Sequence, residues 1–303
     1  MTTKVKDIID TIKKELKQLE EDIKNNVPRK KWVMPFHIGN DLPINFVTNT
    51  NYKGFNIYVL TKSAVKKGFA KPQWAGWNQC IRDNKRIRFD ERKNGTQIII
   101  PMGKSKEVED PITKEKEIKR WTSFQHKYVF NIEQTEGHDY KATLPDTTPK
   151  TKEVYNLLDK IKEQWNLKIK EGTRAYYSNN SIVMPPLNKW KGNDEEKNNQ
   201  YLSVLMHELI HWTGESSRLN RKSFKEYSDS LSIRAEEELV AEIGSAILST
   251  QFNIEINLRD DHVKYIHDWN NRLNRKDRSE ERFLMHVTTE ASKAVQFIME
   301  HNG

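Results

Sequence analysis

One cysteine, Cys80, in 303 residues leaves no room for an intramolecular disulfide or a thiolate-built metal site, and it fits a reducing cytoplasm. Long apolar runs are also missing. No stretch approaches the roughly eighteen apolar residues of a membrane span, and residues 1–22 are too charged for the apolar segment of a signal peptide. The expectation is a cytoplasmic chain without a membrane partner. Apolar residues make up only 35% of the sequence and charged residues 31%, yet a chain this long can bury a sizeable core. Its length favours two domains.

Positive charge is present in excess and unevenly placed. Of the net +8, residues 1–145 hold 28 Lys and Arg against 18 Asp and Glu, and the remainder 23 against 25. A uniformly solvated surface would not divide this way, so a basic module followed by a near-neutral one is expected. In the basic part, aromatic and cationic residues interleave from Trp32 through Tyr52, Lys53, Trp74, Trp77, Arg82, Arg86, Arg88 and Arg92. Cations that track phosphates and aromatic faces that stack bases are what single-stranded nucleic acid requires. Asn45, Tyr52, Asn56 and Gln79 stand out as polar groups among apolar neighbours, with turn and loop hydrogen bonding as the alternative role.

Periodicity predicts one amphipathic helix over residues 1–26, carried by Ile8, Ile9, Ile12, Leu16, Leu19 and Ile23 and stopped by Pro28. Short buried strands are expected at 96–101 and 126–132, and helical pieces at 61–68 and 73–83. Residues 103–119 read as a charged, mobile loop, 140–151 as a linker, 174–184 as a hairpin turning at 178–181, and 189–199 as a polar loop. Helices follow at 154–165, 200–213, 232–250, 260–273 and 279–301.

The strongest signal is His207-Glu208-Leu209-Ile210-His211. Residues four apart share a helix face, so both imidazoles can point at one metal ion, with Glu208 beside it as the base for a water. Chance alone yields roughly 0.02 such patterns in a chain of this composition, so coincidence stays open only as a weak alternative. A zinc site of this kind needs a third ligand. In Ala235-Glu236-Glu237-Glu238-Leu239-Val240-Ala241-Glu242, Glu238 and Glu242 share a face with Ala241, Ser245 and Ser249, small residues that admit a second helix. Glu238 is the expected third ligand, and Glu242, one turn on, is placed to hold an imidazole N–H. Glu236 and Glu237 read as a solvated helix start, where the dipole favours acids. Residues 176–184 could take up an extended peptide along a strand edge or be an ordinary core hairpin.

These residues resemble a known family. Pro43-x-Asn45, Thr48 through Tyr52-Lys53-Gly54-x-Asn56, Trp74, Gln79 and Tyr128-Val129-Phe130-Asn131 come first, then Ser181-Ile182-Val183-Met184-Pro185. The 207–214 run His-Glu-Leu-Ile-His-Trp-Thr-Gly, with Arg218, Leu219 and Arg221 behind it, and Glu237 to Glu242 complete the set. Together they resemble the ArdC-type antirestriction proteins of conjugative plasmids and related mobile elements. Arg234, Gly76 and Arg88-Phe89-Asp90 depart from that pattern. The resemblance implies an amino-terminal DNA-binding domain that shields incoming DNA from restriction enzymes, and a zincin-like metallopeptidase domain that holds a metal.

The resulting expectation is an α+β protein. Residues 1–145 form a mixed α/β single-stranded-DNA-binding domain, and 150–303 a mainly helical zincin-like domain with a small sheet. The cofactor is Zn2+, held by His207, His211 and Glu238; Glu242 supports a ligand and Glu208 is the catalytic base. The DNA-binding residues are Tyr52, Lys53, Asn56, Trp74, Gln79, Arg86 and Arg88. Partners are single-stranded DNA, with duplex DNA as a further candidate, and a protein or peptide substrate. Two other readings stay open: a DNA-dependent zinc protease acting on DNA-associated proteins, and a non-enzymatic DNA-protecting protein whose metal secures the fold.

Overall fold

The first helix, α1 (Val5–Lys24), buries Val5, Ile8, Ile9, Ile12, Leu16 and Leu19 along one stripe and leaves most of its lysines and half of its acids exposed to water. A computed structural model describes residues 3–27, 42–109, 116–137, 148–255, 263–273 and 279–300. Pro28, Trp32, Phe36, His262 and most of the expected linker at 140–151 lie outside the described residues.

A mixed five-stranded sheet follows, made of β1 (Ile44–Asn45), β2 (Thr50–Asn51), β3 (Gln73–Gly76), β4 (Thr96–Glu109) and β5 (Lys116–Asn131) in the order β2-β1-β3-β5-β4. Only β1 and β3 run parallel. Helix α2 (Phe55–Lys67) starts six residues before the expected 61, after Gly54 at φ 57°, a conformation that favours glycine. The stretch expected as one helix at 73–83 divides. Trp74 and Ala75 pair with β5 and are buried, and α3 (Trp77–Arg82) begins only after Gly76.

The charged stretch 103–119 is not a mobile loop where it is described. Paired residues run from Thr96–Val129 to Glu109–Lys116, so β4 and β5 extend as a two-stranded ribbon. Both of its faces meet solvent over much of its length, so no hydrophobic alternation marks it as strand.

In the second half α4 (Thr151–Trp165) leads into a three-stranded sheet of β6 (Lys168–Glu171), β7 (Tyr176–Ser178) and β8 (Ser181–Met184), ordered β6-β8-β7. Asn179 and Asn180, at φ 47° and 52°, make the β7–β8 turn, which requires two left-handed residues. Helix α5 (Asp194–Thr213) begins inside the expected polar loop because Asn193 and Glu196 cap each other's backbone N–H at 2.9 and 2.8 Å. After the short α6 (Lys222–Lys225) come α7 (Leu231–Phe252), α8 (Val263–Leu273) and α9 (Ser279–Met299).

Helices α5 and α7 lie at the centre of this half and are buried nearly all round along their contact. A Cβ on Gly244 would come within 2.7 Å of Ile210 Cδ1, so the absence of a side chain there lets the two helices approach. One apolar core runs from Ile12 and Leu16 through Leu60 and Trp74 to Leu209, Leu239 and Val287. The halves also bond directly. Glu20 on α1 accepts from Asn270 Nδ2 and sits against His267 Nδ1, each at 3.1 Å, and the Gly54 N–H donates to Ser292 Oγ at 2.8 Å. The fold is α+β, a mixed-sheet half followed by a helical half with a small sheet. Among the described residues no helix is long and apolar enough to cross a membrane.

Candidate metal centre and basic groove

The last two turns of α5 and the first three of α7 bring His207, His211 and Glu238 together. The two Nε2 atoms are 3.1 Å apart, and Glu238 offers Oε2 at 3.4 Å from His207 Nε2 and Oε1 at 3.8 Å from His211 Nε2. Four donors at about 2.1 Å around a tetrahedral ion are about 3.4 Å apart, so this triangle fits a metal and leaves one position open. All three side chains are buried. Two imidazoles converging on a carboxylate form the N,N,O donor set of a three-ligand site.

Both outward nitrogens face carboxylates. His211 Nδ1 is hydrogen-bonded to Glu237 Oε1 at 3.1 Å, and His207 Nδ1 lies at ion-pair distance, 3.3 Å, from Glu242 Oε2. A carboxylate on Nδ1 keeps that proton in place and turns the Nε2 lone pair inward.

Glu237 corrects the sequence reading. Expected as solvated, it is fully buried. Arg221 donates to it from Nε at 3.0 Å and Nη2 at 2.6 Å, and Ser223 Oγ donates at 2.6 Å. Burial pushes its pKa up, but the Arg221 charge and the hydrogen bonds from His211 and Arg221 prevail and hold it at about 2. Arg221 also donates to Thr213 Oγ1 at 2.7 Å and to the Ile210 carbonyl at 2.8 Å, tying the end of the metal helix to this pair. Glu236, by contrast, is half-buried, 3.4 Å from His286. A helical wheel shows the face of a residue but not what a distant loop brings to it.

Tyr227 was also missed. Its hydroxyl donates to Glu238 Oε1, and its ring stands edge-on to His211 with centroids 6.2 Å apart. Burial and then the Glu238 charge push its pKa up, so it stays a donor. Glu208 is buried on the same helix. Trp212 Nε1 donates to Asn180 Oδ1 at 3.0 Å, which fastens α5 to the β7–β8 turn. Since β8 is flanked by β6 and β7, the hairpin's free edge among the described residues is the outer side of β7, where Tyr176 is exposed.

In the first half a groove of about 980 Å³ opens beside β3 and β5. Trp77 and Tyr128 stand half-exposed on its wall with Arg82, Arg92, Lys93 and Lys127. Arg92 lies over the Trp77 ring at 5.9 Å. Gln79 Oε1 accepts from the Gly76 N–H at 2.9 Å and from Asn45 Nδ2 at 3.1 Å, joining two polar residues of the wall.

Of the expected DNA-binding residues, Tyr52 and Gln79 line this groove. Trp74 does not, because it is fully buried edge-on to Phe69 and has no face for a base. Asn56 is occupied with the backbone of Ile99, donating at 2.7 Å and accepting at 2.9 Å, so it closes the edge of β4. Lys53 reaches Gln296 on α9 at 3.1 Å. Arg88 donates to the Glu133 carbonyl at 2.8 Å, and Arg86 is exposed outside the groove wall.

Residues 5–130 match the N-terminal domain of the anti-restriction factor ArdC, and residues 156–281 match a zincin-like metallopeptidase family. Two DNA primases TraC of Escherichia coli are 26% and 28% identical over 78% and 80% of this chain, which spans only 17% and 22% of their length. The uncharacterized protein y4eC of Sinorhizobium fredii is 26% identical over 87% of this chain and 82% of its own. The metal-free crystal structure of the antirestriction ArdC protein from plasmid R388 superposes with a TM-score of 0.66 at 25% identity, covering 97% of this chain and 98% of that one. Its Mn(II)-bound form shares the fold, at 0.66 and 24% identity over 96% and 98%. The chain therefore joins an ArdC amino-terminal domain to a zincin-like metallopeptidase domain, the make-up of an ArdC-type antirestriction protein.

Proposed function

We propose that the chain binds single-stranded DNA through residues 1–145 and carries a zinc-dependent peptidase centre in residues 150–303, protecting a mobile element's DNA in the cytoplasm. The observation that carries the peptidase reading is the buried triangle of His207 Nε2, His211 Nε2 and the Glu238 carboxylate, with Glu208 beside it on the metal helix. Two imidazoles and one carboxylate suit zinc. The R388 ArdC protein has been crystallised with Mn(II), and this donor set accepts that ion as well. A divalent ion held there supplies Lewis acidity, which makes water a competent nucleophile near neutral pH.

The protein's own residues do the rest. Glu208 accepts the proton of the attacking water and returns it to the leaving amine. Glu242 and Glu237 keep the imidazoles turned inward, and Tyr227 holds the Glu238 carboxylate. The outer edge of β7 offers backbone hydrogen bonds to an extended peptide. In the other half, Trp77 and Tyr128 offer faces for bases, and Arg82, Arg92, Lys93 and Lys127 balance phosphates.

DNA-dependent proteolysis is favoured as a second reading by the direct bonds of Lys53 and Gly54 to α9. Elemental analysis of the purified chain, followed by peptide cleavage with and without single-stranded DNA, tests both readings. One zinc per chain and cleavage in both conditions support the first. Cleavage only with DNA supports the second. A metal-loaded protein inert in both would leave the metal a structural role.

A further inference from the structure

Strand β3 pairs with β5 only between Val129 and Asn131. Gln97 and Ile99 are still bonded to Thr3 and Asn56, but beyond Ile100, among the described residues, β4 and β5 pair only with each other, out to Glu109–Lys116, a ribbon of about 30 Å at the usual strand rise. Two strands alone are marginal in water, so an arm this long calls for a partner.

Its charge shows which kind. Paired residues share a face and faces alternate along a strand. Met102, Lys104 and Lys106 therefore share one face with Ser123, Gln125 and Lys127, where Glu117 is the one acid among the described side chains. On the other face Lys116 is neutralised by Glu107 at 2.7 Å. At the ribbon's base, Lys127 and Tyr128 belong to the groove wall. A cationic strip thus leads outward from the groove.

We infer that the β4–β5 ribbon is a duplex-DNA arm, lying in the major groove of double-stranded DNA that adjoins the single strand held in the basic groove. A two-stranded ribbon fits the roughly 12 Å width of that groove. A second copy of this chain paired edge to edge is the other occupant to consider, but lysines on an edge strand oppose such pairing. The single-strand half of this picture rests on the function proposed above; the duplex half rests on the ribbon alone.

The test uses the full chain and three labelled probes: a short single strand, a blunt duplex, and that duplex with a single-stranded tail. Wild type, a Lys104→Ala/Lys106→Ala double variant and Trp77→Ala are titrated over a range of salt, with circular dichroism to check folding. The double variant is expected to lose about tenfold on both duplex probes, with a salt slope lower by about 2, and to keep its single-strand affinity. Unchanged duplex affinity, or an equal loss on all three probes, overturns the assignment. So does a ribbon-dependent dimer in sedimentation with no effect on duplex affinity. If wild type ignores the single strand yet binds duplex through Lys104 and Lys106, the groove reading fails and the ribbon assignment stands.

Discussion

Around Glu237 every polar group is answered inside the protein, by Arg221, Ser223, His211 and Thr213, whereas around Trp77 the cations Arg82, Arg92, Lys93 and Lys127 line an open groove. In the metal centre two histidines and three carboxylates are buried within a few ångströms, an arrangement stable only if each charge has a partner at close range. The groove has no such requirement. Its residues stay partly hydrated, and their contributions should be separable and sensitive to salt. A change in the first region should act through fold and metal together, and a change in the second through binding alone.

The hardest test of that contrast is Glu237→Ala. It leaves the Arg221 charge buried and alone, at a cost of about 3–5 kcal/mol, so the melting temperature should fall by roughly 10 °C. His211 loses its Nδ1 partner, and metal affinity should drop about 10–100-fold. Adding Arg221→Leu removes the stranded charge. Calorimetry should then show recovery of most of the stability, while metal titration shows no recovery of affinity. If the single variant melts like wild type, the account of the buried pair is wrong.

Glu208→Gln separates chemistry from scaffold. Shape is kept, so metal content, melting temperature and DNA binding should match wild type, while peptide cleavage falls about 10²–10⁴-fold. Equal cleavage rates in a paired assay would remove Glu208 from its proposed role.

In the groove the expected effects are smaller and confined to binding. Trp77→Ala should weaken single-stranded DNA by about 1–3 kcal/mol, the usual contribution of one stacked base, without lowering the melting temperature appreciably. Fluorescence anisotropy beside a thermal melt reads both. A large loss of stability would mean that Trp77 is a core residue like Trp74.

The smallest effect is at the seam between the halves. Glu20 is held at about 2, by Lys24 first and His267 second. A depressed carboxyl adds stability that is present above its ordinary value of 4.5 and is lost as the pH falls towards 2. Glu20→Gln should cost about 0.5–1 kcal/mol at neutral pH. The denaturation curves of variant and wild type should converge as the pH approaches 2. A gap that persists there would assign the effect to packing.

The clustering of the candidate metal ligands was legible because a helix turns spacing into direction. His207 and His211, four apart, had to share a face, and so did Glu238 and Glu242. Glu237 was misread because its partners come from residues 221 and 223, in a segment with no periodicity to project. Trp74 and Trp77 lie three residues apart with similar neighbours, and composition could not tell the buried ring from the one in the groove. The ribbon escaped notice because strands wet on both faces carry no alternation. Helix α2 was missed in part because its start depends on Gly54 meeting Ser292.

By itself the sequence determined most of the long helices, the α+β make-up, the pair of imidazoles and the excess of positive charge in the first half. All of these follow from interactions between residues near in the chain or from a simple count. Only the tertiary structure decided which acids face the metal pocket, which aromatics line the groove, and that both halves share one core. Those outcomes depend on residues far apart in the chain meeting in space, where burial forces each charge to find a partner or remain in water.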